Sequence, residues 1–346
     1  MTITVTALIF SGRQNPAWVL AANEEKALLQ DLAATPGVVQ RIGDMGGGLG
    51  YAGLQIDQGS ETLAAETGLP ARFFIHTGQT LHEDKAQQIA ARLAGVMFDH
   101  VYSWETYGDT SGPDAGLRSL LLDEIGQGVA RGLNASSSIT ITEDTLAGHQ
   151  STEPRGMIAE SRGCTVESGE YKPGFWNDAG IIQYNNNCYC YAANRRIDKF
   201  GQPGKGGGRP VARPFTVENV RAALLTDGLK PFGTCLPAAE SPRYLVAMVV
   251  APFRPNDPRY NDYHFYRNSV QSLSNQIYFW SHKMGQFPVT NLDKDGRIIA
   301  NVERANRDKY TLFGGYYYLP RSARIAGNPP GADFGGSGGE PGGGTG

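Results

Sequence analysis

The feature that most constrains the fold is the apolar stretch from Tyr244 to Pro252, the longest in the chain. A transmembrane helix needs roughly 18 apolar residues in a row, so this stretch has the length of a strand and no membrane span is expected. A strand without alternating polar residues is typically buried on both faces of its sheet. We therefore predict a central strand over Tyr244–Val250, with other elements packed on either side.

Aromatic runs later in the chain predict the neighbours of this central strand. They are Tyr263–Arg267, Ile277–Lys283 and Tyr310–Leu319. Two helices are predicted before the central strand, one from Cys188 to Ile197, for which Asn187 supplies an N-cap, and one from Val217 to Leu225. Helices and strands in this order predict an α+β domain over residues 161–326.

The segments outside that domain differ in pattern. Residues 1–100 predict a β-α-β-β-α module, in which a sheet carries its helices on one face. Residues 101–160 are interpreted as a linker with one helix, and residues 327–346 as a Gly/Pro-rich tail. Phe10–Trp18 interrupts the first module without a pattern that assigns it a function. The predicted fold class is thus α+β, an N-terminal β-α-β-β-α module followed by a larger domain.

The overall charge argues against nucleic acid or an anionic membrane as a partner. The formal net charge is −3, so no global field attracts either one. Arg195–Arg213 is locally basic, either as a solvated loop or as a rim beside Cys188 that attracts an acidic substrate. The N-terminus lacks the basic region and cleavage site of a secretory signal. We therefore expect a cytoplasmic protein, export by a route without such a signal, or an already processed chain.

The number and spacing of the cysteines limit the disulfide, metal and catalytic chemistry that the chain can carry. The four cysteines, Cys164, Cys188, Cys190 and Cys235, are too few for a disulfide scaffold in a chain of 346 residues. Cys164 and Cys235 could pair, but their spacing does not decide it. No Cys or His cluster has zinc-finger spacing, so no metal or other cofactor is predicted. Cys188 begins a predicted helix, and a helix N-terminus lowers the pKa of a thiol and favours the nucleophilic thiolate.

Cys188 and two histidines on the following strands form a candidate catalytic group. His264 would take the thiol proton as the base and return it to the leaving amine. A hairpin turn centred on Leu273 places His264 directly opposite His282, which would then orient the base. A slip of one residue in this register would move His282 to the other face of the sheet.

Four further residues are candidates for supporting roles. Gln183 and Tyr184 precede the cysteine, and either side chain could donate to a developing oxyanion beside the backbone N–H groups of the helix. Asn291 and Asp293 are alternatives to the second histidine as the residue that orients the base.

Asp293 also belongs to a segment that resembles the start of a calcium loop, Asn291–Gly296. Position twelve of such a loop should be an acid that binds calcium through both carboxylate oxygens, and it is Val302 here. The Asp-Gly pair alone accounts for a hairpin turn, so a turn is favoured over a calcium site.

The order of these elements resembles the papain-like cysteine hydrolases, particularly the NlpC-type endopeptidases and CHAP amidases. There the nucleophilic cysteine opens a helix packed on an antiparallel sheet, a histidine base begins one strand, and the next strand supplies a third polar residue. The resemblance covers about residues 181–285 and implies that Cys188 is the nucleophile, His264 the base and His282 the orienting residue. NlpC-type enzymes typically have Asp before and Ser-Gly after the cysteine, where this chain has Asn and Tyr-Cys.

The resemblance implies a papain-like second domain that acts as a thiol hydrolase on an amide or isopeptide bond, without a metal. Its substrate would be a peptide, for example in peptidoglycan. The alternative function is non-catalytic: the domain would be a scaffold, and its aromatic strands and the Gly-rich tail would serve assembly or partner binding. Cysteines in folded proteins are usually buried and inert. A thiol near His264 in an open cleft would favour the hydrolase, and burial of Cys188 among apolar neighbours would favour the scaffold.

Overall fold

The structure is a computed structural model, and it describes residues 2–13, 15–40, 51, 53–59, 61–76, 82–97, 102–103, 121–123, 125, 164–178, 181–254, 261–271 and 277–328. Most of the predicted linker (101–160) and of the predicted tail (327–346) lies outside these ranges. The described residues combine helices with several antiparallel sheets, which confirms the α+β fold class.

A five-stranded antiparallel sheet forms the first part of the chain. Its strands are β1 (Ile3–Ala7), β2 (Ala17–Val19), β3 (Leu54–Gln58), β4 (Arg72–Ile75) and β5 (Tyr102–Ser103), in the order β4-β3-β1-β2-β5. Its helices are α1 (Ala22–Ala34), α2 (Glu61–Thr67) and α3 (Glu83–Val96), with a 3-10 turn at Pro36–Val38. The predicted β-α-β-β-α order omits β2, α2 and β5, because elements of two to seven residues are too short to show a clear hydrophobic period.

A larger sheet forms the second part of the chain. The strands from here on are β6 (Gly169–Glu170), β7 (Phe200–Gly201), β8 (Lys230–Pro231), β9 (Tyr244–Val250), β10 (Tyr263–Val270), β11 (Tyr278–Lys283), β12 (Val289–Thr290), β13 (Leu312–Leu319) and β14 (Gly327–Asn328). The large sheet has the order β12-β11-β10-β9-β13-β8, and β6 pairs parallel with β10, while β14 and β7 pair separately. The helices are α4 (Pro173–Trp176), α5 (Ile181–Asn185), α6 (Cys188–Ala192) and α7 (Val217–Thr226), with a 3-10 turn at Ala238–Glu240.

Strand β9 is the central strand that its apolar sequence predicts. It pairs with β10 on one side and β13 on the other, and all of it except Tyr244 is buried. Alternate residues enter two different cores: Val246, Met248 and Val250 pack with residues of α6 and α7, whereas Leu245, Ala247 and Val249 pack with Trp280 and Tyr310. Leu8 and Phe74 of the first module join the second of these cores. The two parts of the chain therefore share buried apolar surface.

A disulfide bond joins Cys164 to Cys235, whose Cα atoms lie 5.0 Å apart. The sequence left this pairing open. The bond links the first described residue after the linker to the segment before β9, across a separation of 71 residues. Cys188 and Cys190 are free and buried.

Candidate functional site

Helix α6 positions Cys188, and it is shorter than predicted. Asn187 is the N-cap, and its side-chain oxygen accepts a hydrogen bond from the Cys190 N–H at 3.3 Å. The helix ends at Ala192 rather than at Ile197, because Asn194 adopts a positive φ of 52°. Asparagine is one of the few residues that accept this left-handed conformation, which stops a helix.

Cys188 is completely buried, and its thiol forms a hydrogen bond with the backbone of the first module. The Sγ–H group donates to the carbonyl oxygen of Ser11 at 3.4 Å. Burial raises the pKa of the Cys188 thiol well above its usual value, the Asp262 carboxylate raises it further, and the Phe265 N–H opposes them only in part. The lowered thiol pKa expected from the helix N-terminus is therefore wrong, because desolvation outweighs the dipole of a five-residue helix.

The predicted register of the histidine hairpin is wrong by two residues. Tyr266, not His264, lies directly opposite His282. A shift of two residues keeps the side chains on the same face, so the two histidines remain diagonal neighbours. Their rings lie 4.9 Å apart between centroids, and Nε2 of His264 is 2.8 Å from Nδ1 of His282.

The hydrogen-bond chain through the two imidazoles assigns their protons. Nε2 of His282 is 3.0 Å from the Leu292 carbonyl oxygen, which can only accept, so this nitrogen carries a proton. Burial lowers the pKa of His282 to about 4, so the ring is neutral at pH 7 and its Nδ1 accepts from Nε2 of His264. Burial and His282 lower the pKa of His264 as well. Its Nδ1 consequently presents a lone pair, and this buried atom has no hydrogen-bond partner among the described residues.

Cys188 and His264 are not joined by a hydrogen bond within the described residues. Cys188 belongs to the apolar cluster that contains Tyr263 and Phe265. The ring of His264 instead lies 4.9 Å from that of Tyr266, on the alternate face of β10. The assignment of nucleophile, base and orienting residue remains a prediction.

Asp262, at the start of β10, is the centre of a buried polar cluster that the sequence analysis missed. Its carboxylate accepts the backbone N–H groups of Ser11 at 3.1 Å and Gly12 at 3.2 Å. It also accepts the Tyr310 hydroxyl at 2.6 Å, and the Lys309 ammonium lies 3.5 Å away. Asp262 is completely buried. A first-module segment, Phe10–Arg13, thus provides backbone partners for a carboxylate of the second part, and we call it the N-terminal insert.

The opposite side of the N-terminal insert is also held by hydrogen bonds. The carbonyl oxygen of Gly12 accepts from the side-chain amides of Asn187 at 3.2 Å and Gln202 at 3.5 Å. A Cβ atom at Gly12 would lie 2.4 Å from the Tyr263 carbonyl oxygen, so this position admits only glycine without displacement of the backbone. The hydroxyl groups of Ser11 and Tyr310 form a further hydrogen bond.

The four residues predicted for supporting roles bond elsewhere. Gln183 donates through Nε2 to the Gln286 carbonyl at 3.2 Å. Tyr184 stacks on a phenylalanine of the first module, and burial strongly raises the pKa of its hydroxyl. The carboxylate of Asp293 accepts the backbone N–H groups of Asp295, Arg297 and Asn306. Asn291 is buried and its backbone carbonyl accepts the Ile299 N–H. The acceptor that orients His282 is the Leu292 backbone carbonyl, between these two candidates in sequence.

Lys283, at the end of β11, is a second feature that the sequence did not reveal. The side chain is fully buried, and its Nζ donates to the carbonyl oxygens of Gln183 and Gly285, both at 2.5 Å. Burial lowers the pKa of Lys283 to about 7, while Cys190 and Cys188 oppose this shift. The amine therefore lies close to its point of titration at neutral pH.

Parts of the basic Arg195–Arg213 segment are held to the fold by hydrogen bonds. Gly204 and Gly207 donate backbone N–H groups to the carboxylate of Asp227, at 2.6 and 2.8 Å. Arg195 donates to backbone carbonyl groups of residues 320–323, after β13. A Cβ at Gly204 would lie 2.0 Å from the Arg209 carbonyl oxygen, so the loop depends on glycine for its close backbone packing.

The described residues include no group of three or more His, Cys, Asp and Glu side chains placed to hold a metal ion. No helix among them is long and apolar enough to cross a membrane. In class, this is an α+β protein in which the buried side chains of Cys188 and Asp262 form hydrogen bonds to an insert from its first module.

Comparison with known proteins places the chain in one family. It is 38% identical over 160 residues to insoluble matrix shell protein 1 of Ruditapes philippinarum, and the matched region is 46% of this chain and 96% of that protein. The chain belongs to the same family as this protein. No family model and no solved structure matches it.

Proposed function

We propose that the protein is a non-catalytic assembly protein whose second domain uses a papain-like arrangement as a scaffold. The observation that carries this proposal is the state of Cys188. Its thiol is fully buried, bonded to the Ser11 carbonyl and held neutral by a raised pKa. A nucleophilic cysteine needs an accessible thiolate, and the N-terminal insert occupies the place where a substrate carbonyl would have to enter.

Two further findings support an assembly function. The related protein is named an insoluble matrix shell protein, and a matrix protein works through association with other molecules. The Cys164–Cys235 disulfide is typical of proteins that reach an oxidising compartment. Both favour a structural protein over an intracellular enzyme.

Sedimentation velocity of the full oxidised chain at several concentrations tests the assembly function. Association that increases with concentration is the expected result. A protein that remains monomeric up to its solubility limit, in both oxidised and reduced form, would contradict the proposal.

A cysteine hydrolase is the second candidate, and one observation favours it. Nδ1 of His264 is a buried acceptor without a partner among the described residues, on a ring fixed through Nε2 by His282. This is the tautomer that a base needs for taking a proton from a thiol. Displacement of the N-terminal insert would be required before Cys188 could react.

The rate of iodoacetamide alkylation at Cys188, measured against pH and located by peptide mass spectrometry, separates the two candidates. The scaffold predicts no labelling of the native protein below about pH 8.5. Labelling already at its plateau near neutral pH, with a midpoint that rises in His264→Ala, would establish a histidine-activated thiolate and favour the hydrolase. The Cys188→Ala variant is the control, because any label it retains belongs to another cysteine.

A further inference from the structure

The N-terminal insert lies in the second domain as a bound peptide would. Most of its hydrogen bonds to the second domain use the backbone: Asp262 accepts two consecutive N–H groups, Cys188 donates to the Ser11 carbonyl, and side-chain amides donate to the Gly12 carbonyl. The one side-chain contact with a hydroxyl involves Ser11 and Tyr310. A surface that satisfies successive backbone groups of a segment, and excludes a Cβ at one position, is selective for a Ser-Gly sequence.

The donors and acceptors that hold the insert are themselves fixed and buried. Asp262, Asn187 and Gln202 are each at most 1% exposed. Without the insert, the Asp262 carboxylate would lose two N–H donors in a desolvated place, which is costly for a charged group. We call the surface formed by Asp262, Asn187, Gln202, Cys188 and Tyr310 the insert cleft. The insert cleft therefore requires a bound segment that supplies these N–H donors.

We propose that the insert cleft is a binding site for a Ser-Gly polypeptide segment, and that in assemblies this segment is the N-terminal insert of a second copy of the chain. This proposal rests on the assembly function and names its contact. Every hydrogen bond seen within one chain can form unchanged between two chains, since the insert and the cleft belong to different parts of the protein. Exchange of identical elements is a low-cost route to association.

The length of the connection allows such an exchange. Leu121 and Ile125 pack in the core of the first module, whereas Cys164 packs with the second sheet. The 38 residues from 126 to 163 lie between these anchors. At about 3.3 Å per extended residue they can span up to about 125 Å, well beyond one domain. Each copy carries one insert and one cleft, so insertion from copy to copy forms a closed pair or an open chain.

A synthetic peptide of residues 9–17, with capped ends, tests the cleft directly. The matched control peptide differs only by alanine at the position of Gly12. Both are labelled and titrated by fluorescence anisotropy against the full-length Gly12→Ala protein, whose own insert is excluded from the cleft. We expect the glycine peptide to bind at least ten-fold more tightly than the alanine peptide, because a Cβ at this position would clash with the Tyr263 carbonyl oxygen. Asp262→Asn in the same protein should weaken binding of the glycine peptide, because the carboxylate that accepts its N–H groups is removed. Equal binding of the two peptides would overturn the proposed cleft.

Mixing two variants tests whether the insert of one copy enters the cleft of another. Gly12→Ala has a free cleft without a competent insert, and Asp262→Asn has a competent insert without a cleft. Native mass spectrometry of a one-to-one mixture should show heterodimers, with neither variant forming longer chains alone. Gly95→Ala is the control, because a Cβ at Gly95 meets nothing within 4 Å, and it should assemble like the wild type. Absence of heterodimers, with both variants folded by circular dichroism, would overturn exchange.

A competition experiment with the wild-type protein does not depend on the folding of any variant. Excess glycine peptide should dissociate its assemblies, and the alanine peptide should not. Assemblies insensitive to both peptides would refute exchange while leaving the assembly function standing. A wild-type protein that never associates would refute both the assembly function and the second copy, whereas selective peptide binding to Gly12→Ala would still support the cleft.

Discussion

Replacement of Lys283 by methionine should remove a defined part of the pH dependence of stability. The lysine is fully buried between the carbonyl oxygens of Gln183 and Gly285, and burial lowers its pKa to about 7. In the unfolded chain its pKa returns to about 10.5. Methionine has a similar length and no titrating group, so the variant isolates the contribution of the amine.

The sign and size of the effect follow from proton binding. Between pH 7 and pH 9 the unfolded lysine keeps its proton while the folded lysine loses it, so raising the pH favours the folded state. Two pH units correspond to about 2.7 kcal/mol at 1.36 kcal/mol per unit. The folded lysine is still half protonated at pH 7, which reduces the expected gain to about 2.3 kcal/mol.

Urea unfolding at pH 7, 8 and 9, followed by tryptophan fluorescence, measures this gain. The free energy of unfolding of the wild type should rise relative to Lys283→Met by about 2 kcal/mol over this range. Cysteine and tyrosine titration in the unfolded chain affects both proteins equally and cancels in the comparison. Lys199→Met, at an exposed lysine, should follow the wild type. Parallel pH profiles for wild type and Lys283→Met would refute a pKa near 7.

Two other substitutions have expected effects on stability. Removing the Cys164–Cys235 disulfide by double alanine substitution should lower the free energy of unfolding by about 4 kcal/mol, since the bond closes a loop across 71 residues; a loss below about 1 kcal/mol in urea titrations would indicate that the loop is already ordered in the unfolded chain. Asp227→Asn should cost roughly 1–3 kcal/mol, because one amide hydrogen would face the glycine N–H donors that its carboxylate accepts. The exposed Asp295→Asn should cost less than about 0.5 kcal/mol, and equal losses in the two variants would contradict this assignment.

The parts of the fold that the sequence predicts are those with a local pattern. The central strand β9 follows from an unbroken apolar run. His264 and His282 lie on one face as predicted, because an error of two residues in the register preserves the alternation of strands. The exact register between β10 and β11 does not follow from the sequence. No Asn-Gly or similar dipeptide fixes the turn between β10 and β11, so a centre displaced by one position shifts the pairing by two residues.

The insert cleft could not be predicted, because its chemistry has no local pattern. Ser11 and Asp262 are 251 residues apart, and the contact uses backbone N–H groups, which every residue except proline possesses. The burial of Lys283 could not be predicted either, since a lysine at the end of an aromatic strand is ordinarily solvent-exposed. Glycine at position 12 was the one available signal of a close backbone approach.

The separation between the N-terminal insert and its partners has a consequence for biosynthesis. Ser11 leaves the ribosome 251 residues before Asp262 and 299 residues before Tyr310. At about 5–20 residues per second, the first module is exposed for roughly 10–60 seconds before its own cleft exists. On a messenger carrying several ribosomes, chains ahead have already completed their clefts during this interval. Capture between neighbouring nascent chains then competes with closure within one chain, so the spacing of ribosomes on the messenger influences the size of the first assemblies.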